Sequence, residues 1–167
     1  GGGLGIHMLK MLKLNNIFAI GIDTKTEKFN TCNENGAEFS VSPMENDLKN
    51  KITDFSKSND LDVVIDFVSS KSSLELGCSI LGKGGRLVTL GGSGEQFLAN
   101  SADMLVKELE LIGSRYCTKQ ELKESLDLYA RGLIEPLVSV KTDFDGAEGL
   151  HDKIEKGEIT GRAGILI

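Results

Sequence analysis

GGGLGIHMLKMLKLNNIFAIGID, residues 1–23, runs from a glycine turn through an apolar helix into a short strand that ends in an acid. A glycine turn at the start of a helix offers free backbone N–H groups to an anion and lets a ligand approach the chain closely. In the GxGxxG pattern of a dinucleotide-binding turn, Gly2 and Gly5 serve as the second and third glycines and Gly1 fills the variable slot between the first two. The first glycine and the strand carrying it are expected upstream. Gly2 would then admit the pyrophosphate, and Gly5 would let the helix pack close to a strand. Asp23 stands at about the 20-residue distance where such folds carry an acid at the end of the second strand. A carboxylate there accepts hydrogen bonds from the adenosine ribose and repels a 2′-phosphate, so the pattern predicts NAD rather than NADP. The plain alternative is a flexible tail over Gly1 to Gly5. A tail does not account for a helix, a strand and a terminal acid following in register.

Outward from this stretch the chain alternates helical and strand-like segments. Residues 24–36 are a polar helix closed by Asn35 and Gly36, and residues 38–42 are a short strand. Residues 44–58 carry Leu48, Ile52 and Phe55 at helical spacing. Residues 62–68, DVVIDFV, form a continuous apolar run of the kind buried on both faces of a sheet. A helix over 72–81, a strand over 86–92, a less regular connection through 93–107 and a strand over 108–114 follow. The helix over 119–132 puts Leu122, Leu126, Tyr129 and Leu133 on one face. Strands joined by such helices need crossover connections, which predicts a doubly wound α/β fold with a mostly parallel sheet. Beyond Pro136 the pattern changes to LVSVKTDF, a helix-like AEGLHDKIEKG and a terminal AGILI. A boundary is therefore expected near residue 136.

Composition narrows the function classes. Net charge of −6 and a pI near 5.0, without a basic stripe, argue against nucleic acid as a partner. No apolar run is long enough for a membrane span, and no basic and apolar leader opens the chain, so a cytoplasmic setting is the default expectation. Cys32, Cys78 and Cys117 lie far apart in sequence, and no cluster with metal-ligand spacing is present. His7 reads as a packed or partly exposed helix histidine and His151 as a surface residue. Neither has a partner at a spacing that would make a nucleophile–base pair, so no catalytic residue and no metal ligand is assigned.

The ordered set GGGLG with Asp23, DVVIDFV, GKGGRLVTLGG, ELELIGSRYCTKQELKESLDLYARGLIEPLV and KGEITGRAGILI resembles the zinc-dependent alcohol dehydrogenases of the medium-chain dehydrogenase/reductase family. The similarity runs through nearly the whole chain and corresponds to the C-terminal, cofactor-binding half of such an enzyme. It implies a Rossmann-type parallel sheet lacking its first strand over residues 1–136, and the C-terminal segment of a GroES-like catalytic domain over 137–167. By resemblance, Gly2, Gly3, Leu4 and Gly5 lie over the pyrophosphate, Asp23 binds the ribose and Lys28 lies near the same ribose, with a solvated helix lysine as its plain alternative. Phe67 and Val68 end a strand bordering adenine and ribose. Leu90, Gly91 and Gly92 approach the nicotinamide ribose and carboxamide. Ser114, Arg115 and Tyr116 follow the last strand near the carboxamide, and Arg162 reaches the pyrophosphate.

In the family, zinc polarises the oxygen of the alcohol or carbonyl substrate, but its ligands come from segments that precede the glycine turn, and none is in this chain. The resemblance thus implies a piece of a longer, NAD-linked, zinc-assisted oxidoreductase acting on an alcohol, aldehyde or ketone, assembled as a homodimer or homotetramer through the cofactor domain and inactive in this part alone. Two other readings stay open: a zinc-free quinone or enoyl-thioester reductase of the same family, and a catalytically inactive NAD-binding or subunit-contact module.

Overall fold

The computed structural model describes residues 1–55 and 60–167; Ser56, Lys57 and Ser58, at the end of the helix expected over 44–58, lie outside the described residues. The chain is α/β, and every strand pairing among the described residues is parallel. It divides into two compact units, one made of Gly1–Leu48 with Lys119–Ile167 and the other of Lys49–Thr118.

In the first unit, α1 (Gly3–Leu14) leads to β1 (Ile20–Ile22), a 3₁₀ turn (Thr26–Lys28), α2 (Phe29–Glu34) and β2 (Phe39–Val41). The polar stretch after Asp23 is thus a 3₁₀ turn running into a short helix rather than one continuous helix. Asn35 caps α2, and Gly36 follows at φ 124°, a conformation open to glycine. The same glycine packs against α1: a Cβ there would stand 2.5 Å from the Leu9 carbonyl oxygen. Ile6, Leu9, Ala19, Cys32 and Ala37 form the core of this unit, with Leu12 and Leu137 against it. Cys32 acts here as a small buried hydrophobe, 1% exposed. Later in the chain, α6 (Lys119–Ala130), β6 (Val138–Thr142), α7 (Ala147–Glu155) and β7 (Arg162–Ile165) complete the unit, and β6 pairs with β7. The face of α6 carrying Leu122, Leu126 and Tyr129 is exposed.

The second unit holds α3 (Leu48–Phe55) from its second residue on, β3 (Leu61–Asp66), α4 (Lys71–Ile80), β4 (Leu81–Thr89), α5 (Ser101–Lys107) and β5 (Glu110–Gly113). Its sheet has the order β3-β4-β5. Leu74, Leu81 and Leu87 form its core with Leu61, Val64, Cys78, Phe97 and Leu109 around them. The connection through 93–107 contains a regular helix, capped by the Asn100 side chain on the Ala102 and Asp103 N–H groups.

Within each unit the neighbouring strands, β1 with β2 and β3 with β4 and β5, run parallel, as in a doubly wound sheet. Among the described residues, β1 pairs only with β2 and β3 only with β4. The run expected to be buried on both faces is correspondingly bare in places: Val63 in β3 is 46% exposed. A β-branched run signals suitability for a covered strand, and its burial also requires the neighbouring strand and helices to be present.

Candidate dinucleotide site

The glycine turn opens α1 without a side-chain cap and without an acidic residue in the first turn. Gly2 is the N-cap, and the first helical hydrogen bond runs from the Ile6 N–H to the Gly2 carbonyl at 3.1 Å. The N–H groups of Gly3, Leu4 and Gly5 therefore lack helix carbonyls, which is the arrangement that receives an anion.

Asp23 lies just past the carboxyl end of β1, where its N–H still donates to the Val41 carbonyl at 3.2 Å. One carboxylate oxygen accepts from the Lys25 N–H at 2.9 Å and the other from the Gly1 nitrogen at 2.6 Å. Burial pushes this carboxyl upward, but the hydrogen bonds from the Gly1 nitrogen and the Lys25 N–H and the nearby Lys28 charge together hold it below its ordinary value. The sign follows from linkage: a depressed carboxyl contributes stability above its unfolded value and loses it as pH falls through the lower folded value. Asp23 is therefore a fixed negative charge at neutral pH.

Arg162, the first residue of β7, stands against this turn. Gly161 forms a parallel bridge with Gly2, and a Cβ added to Gly3 would lie 2.8 Å from both Cδ and Nε of Arg162. Arg162 is exposed, and among the described residues its guanidinium has no hydrogen-bond or ion-pair partner. A free guanidinium beside uncapped helix N–H groups suits a pyrophosphate in charge and donor geometry. Lys28 is not the solvated helix lysine of the plain alternative. It is 7% exposed, and its ammonium donates to the Gly157 carbonyl at 2.8 Å and the Ile159 carbonyl at 3.2 Å.

His7 has a role that sequence spacing did not suggest. Its Nε2 accepts from the Leu137 N–H at 3.0 Å, which leaves the proton on Nδ1 to be donated to the Gly3 carbonyl at 2.5 Å. The ring thus ties the glycine turn to the start of β6. His151 is exposed, as expected.

In the second unit, the register aligns Asp66 with Thr89 and Thr89 with Gly113, so three strands end level at their carboxyl edge. Phe67 and Val68, Leu90 to Gly92, and Ser114 to Tyr116 all leave the sheet there; Phe67 and Val68 lie just beyond β3 rather than ending it. Gly91 is a close-approach position, since a Cβ on it would stand 2.6 Å from the Val68 carbonyl oxygen. The Ser114 N–H donates to the Thr89 carbonyl at 3.0 Å. Arg115 stacks over the Tyr116 ring at 4.5 Å, and Tyr116 is 86% exposed.

Beneath these tips lies a polar network that sequence reasoning missed. Asp66, 7% exposed, accepts from the Val68 N–H at 2.8 Å, the Ser69 N–H at 3.0 Å and the Ser73 hydroxyl at 2.7 Å. Ser69, at φ 57°, hydrogen-bonds Thr89 through its hydroxyl, and its carbonyl accepts from the Ser93 hydroxyl. The serine run after DVVIDFV was the available signal. Asp66→Ala would orphan three donors, and its expected cost is about 2 kcal/mol. Urea unfolding checks it: a midpoint equal to that of the parent protein would contradict a structural role for this carboxylate.

Among the described residues, no group of three or more His, Cys, Asp or Glu is arranged to hold a metal ion, and no helix is long and apolar enough to cross a membrane.

Residues 3–131 match a family model described as zinc-binding dehydrogenase. The chain is 28% identical over 165 residues to an NAD-dependent alcohol dehydrogenase of Sulfolobus acidocaldarius, covering 97% of this chain and 47% of that protein. It is 27% identical over 164 residues to an acryloyl-coenzyme A reductase of Metallosphaera sedula, covering 95% and 47%. Its fold superposes on the crystal structure of the alcohol dehydrogenase of Aeropyrum pernix with a TM-score of 0.86 at 28% identity, covering 97% of this chain and 46% of that one. The chain spans about half the length of the curated relatives it matches.

Proposed function

This chain belongs to the zinc-binding dehydrogenase family of oxidoreductases, and from that premise we propose that it forms the NAD-binding part of an enzyme that moves a hydride between an alcohol and NAD. The observation that carries the reading is the meeting, in one unit, of an uncapped glycine turn, an ionised acid at a strand tip and an unpartnered arginine. The N–H groups of Leu4 and Gly5 at the uncapped start of α1 and the Arg162 guanidinium bind the pyrophosphate from two sides. Asp23 accepts the ribose hydroxyls and repels a 2′-phosphate. The strand-tip residues of the second unit, from Phe67 to Tyr116, keep their proposed roles as cofactor contacts. When bound, the nicotinamide ring supplies the carbon that takes or gives the hydride.

In this reading residues 1–136 belong to the cofactor domain and 137–167 to a catalytic domain completed by other residues of a longer protein. Zinc, where the whole enzyme uses it, is assigned no ligand in this chain. Residues 1–167 by themselves are expected not to oxidise alcohols. The whole enzyme is expected to be a cytoplasmic homodimer or homotetramer acting on a small alcohol, aldehyde or ketone.

The likeness to an acryloyl-coenzyme A reductase favours a second reading, in which the hydride goes to a carbon–carbon double bond of a thioester. Both readings require the dinucleotide. Fluorescence titration with NADH and NADPH tests it: NADH is expected to bind at least about tenfold more tightly, the worth of one charge-assisted contact. Equal or tighter NADPH binding would sink the role of Asp23. Turnover of the full-length protein with an alcohol and NAD, set against an enoyl thioester and NADH, separates the two readings.

A further inference from the structure

Lys28 and its neighbour Lys25 spend their ammonium groups on the chain itself. Lys28 Nζ donates to the carbonyls of Gly157 and Ile159, and Lys25 Nζ donates to those of Lys156 at 2.8 Å and Gly157 at 3.0 Å. Four charge-assisted bonds thus run from the segment just after Asp23 to the turn at 156–161 that joins α7 to β7. The far end of that turn is paired with the glycine turn, through the Gly2–Gly161 bridge and the Gly161 N–H on the Gly1 carbonyl at 3.4 Å. The next residue is Arg162. Gly157 at φ 65° and Gly161 at φ 77° bracket the turn with the residue type that restricts a backbone least. Its conformation therefore depends on what holds it from outside. Lys28 is also too deeply placed to turn elsewhere without stripping a buried charge of both its acceptors.

We propose that Lys28, seconded by Lys25, is a positioning residue: it fixes the 156–161 turn so that the Arg162 guanidinium stands over the glycine turn, and its effect on dinucleotide binding runs through Arg162 rather than through the ribose. The inference rests on the dinucleotide reading of the site.

A double-mutant cycle tests it. NADH and adenosine are titrated against the parent protein, Lys28→Met, Arg162→Gln and the double variant. Amide hydrogen exchange over 157–162 is followed in each without ligand. Arg162→Gln is expected to weaken NADH about tenfold and adenosine by less than about twofold. Lys28→Met gives a similar pattern, and the double variant binds NADH within about twofold of Arg162→Gln alone. Exchange in the turn accelerates in Lys28→Met and not in Arg162→Gln. Lys25→Met, at a half-buried site, shows the same direction with a smaller size and carries the cycle should Lys28→Met not fold. Losses that multiply in the double variant, a loss for adenosine as large as for NADH, or unchanged exchange would each overturn the proposal while leaving the dinucleotide reading standing. A parent protein that takes up no NADH would overturn that reading, and this proposal with it.

Discussion

Asp23→Ser is expected to move the ratio of NADPH to NADH affinity by about three orders of magnitude. The two halves of that change have separate causes. Charge-assisted hydrogen bonds are worth about 1.5–3 kcal/mol each, and a serine hydroxyl replaces at best one neutral bond, so NADH affinity should fall by about 30-fold or more. The gain for NADPH comes from removing repulsion. A unit charge about 5 Å from another at an effective dielectric near 20 is worth about 3 kcal/mol, and a 2′-phosphate carries more than one unit. Part of this is screened, because the Asp23 side chain is 18% exposed. An increase in NADPH affinity of about 30-fold remains, giving the combined figure. The carboxylate is already held in place by the Lys25 N–H and the Gly1 nitrogen and is ionised at neutral pH, so no reorganisation in the parent protein offsets the effect. Fluorescence titration of both nucleotides at one ionic strength measures it. A ratio that stays within about threefold of the parent value would mean that Asp23 does not face the 2′ position.

Legibility in the sequence followed the range of the interactions. The helix–strand alternation, the C-cap at Asn35 and Gly36, and the turn leading to Asp23 rest on local spacing, and the structure has them. The helix at Ser101–Lys107 escaped because its cap residue, Asn100, sits within an irregular polar and apolar mixture where periodicity carries little signal. Lys28 shows a different limit. Resemblance places it near the ribose, and its acceptors in the structure lie 129 and 131 residues away, in a turn whose folding back no local pattern encodes. His7 is the same case, with its Nε2 engaged 130 residues on. The Asp66 network was hidden for another reason: an acid inside an apolar run reads as part of the strand, and its N–H partners at Val68 and Ser69 depend on how the chain turns after β3.

The glycine turn allows binding to be separated from folding, because its neighbouring positions differ in what surrounds them. Gly2 has φ −80° and ψ 177°, which alanine adopts freely, and a Cβ there would meet no protein atom within 4 Å. Gly2→Ala should therefore leave the thermal midpoint within about 2 °C of the parent, since a change near zero at this site shifts it little. The same methyl would project into the space through which a pyrophosphate reaches the N–H groups of the first turn of α1. Displacing an ionic contact from even a few of those donors costs about 2–3 kcal/mol, so NADH should bind about 100-fold more weakly. Gly3→Ala is the contrast. Its Cβ would lie 2.8 Å from Arg162 side-chain atoms and 2.9 Å from the Gly161 carbonyl oxygen, so the backbone of the C-terminal turn must yield and both the midpoint and the affinity should fall. Calorimetry and NADH titration on the two variants decide the matter. If Gly2→Ala binds NADH as the parent does, the open space beside Gly2 is solvent and the anion site lies elsewhere; if it lowers the midpoint as much as Gly3→Ala, the turn is a packing element and its glycines are explained without a ligand.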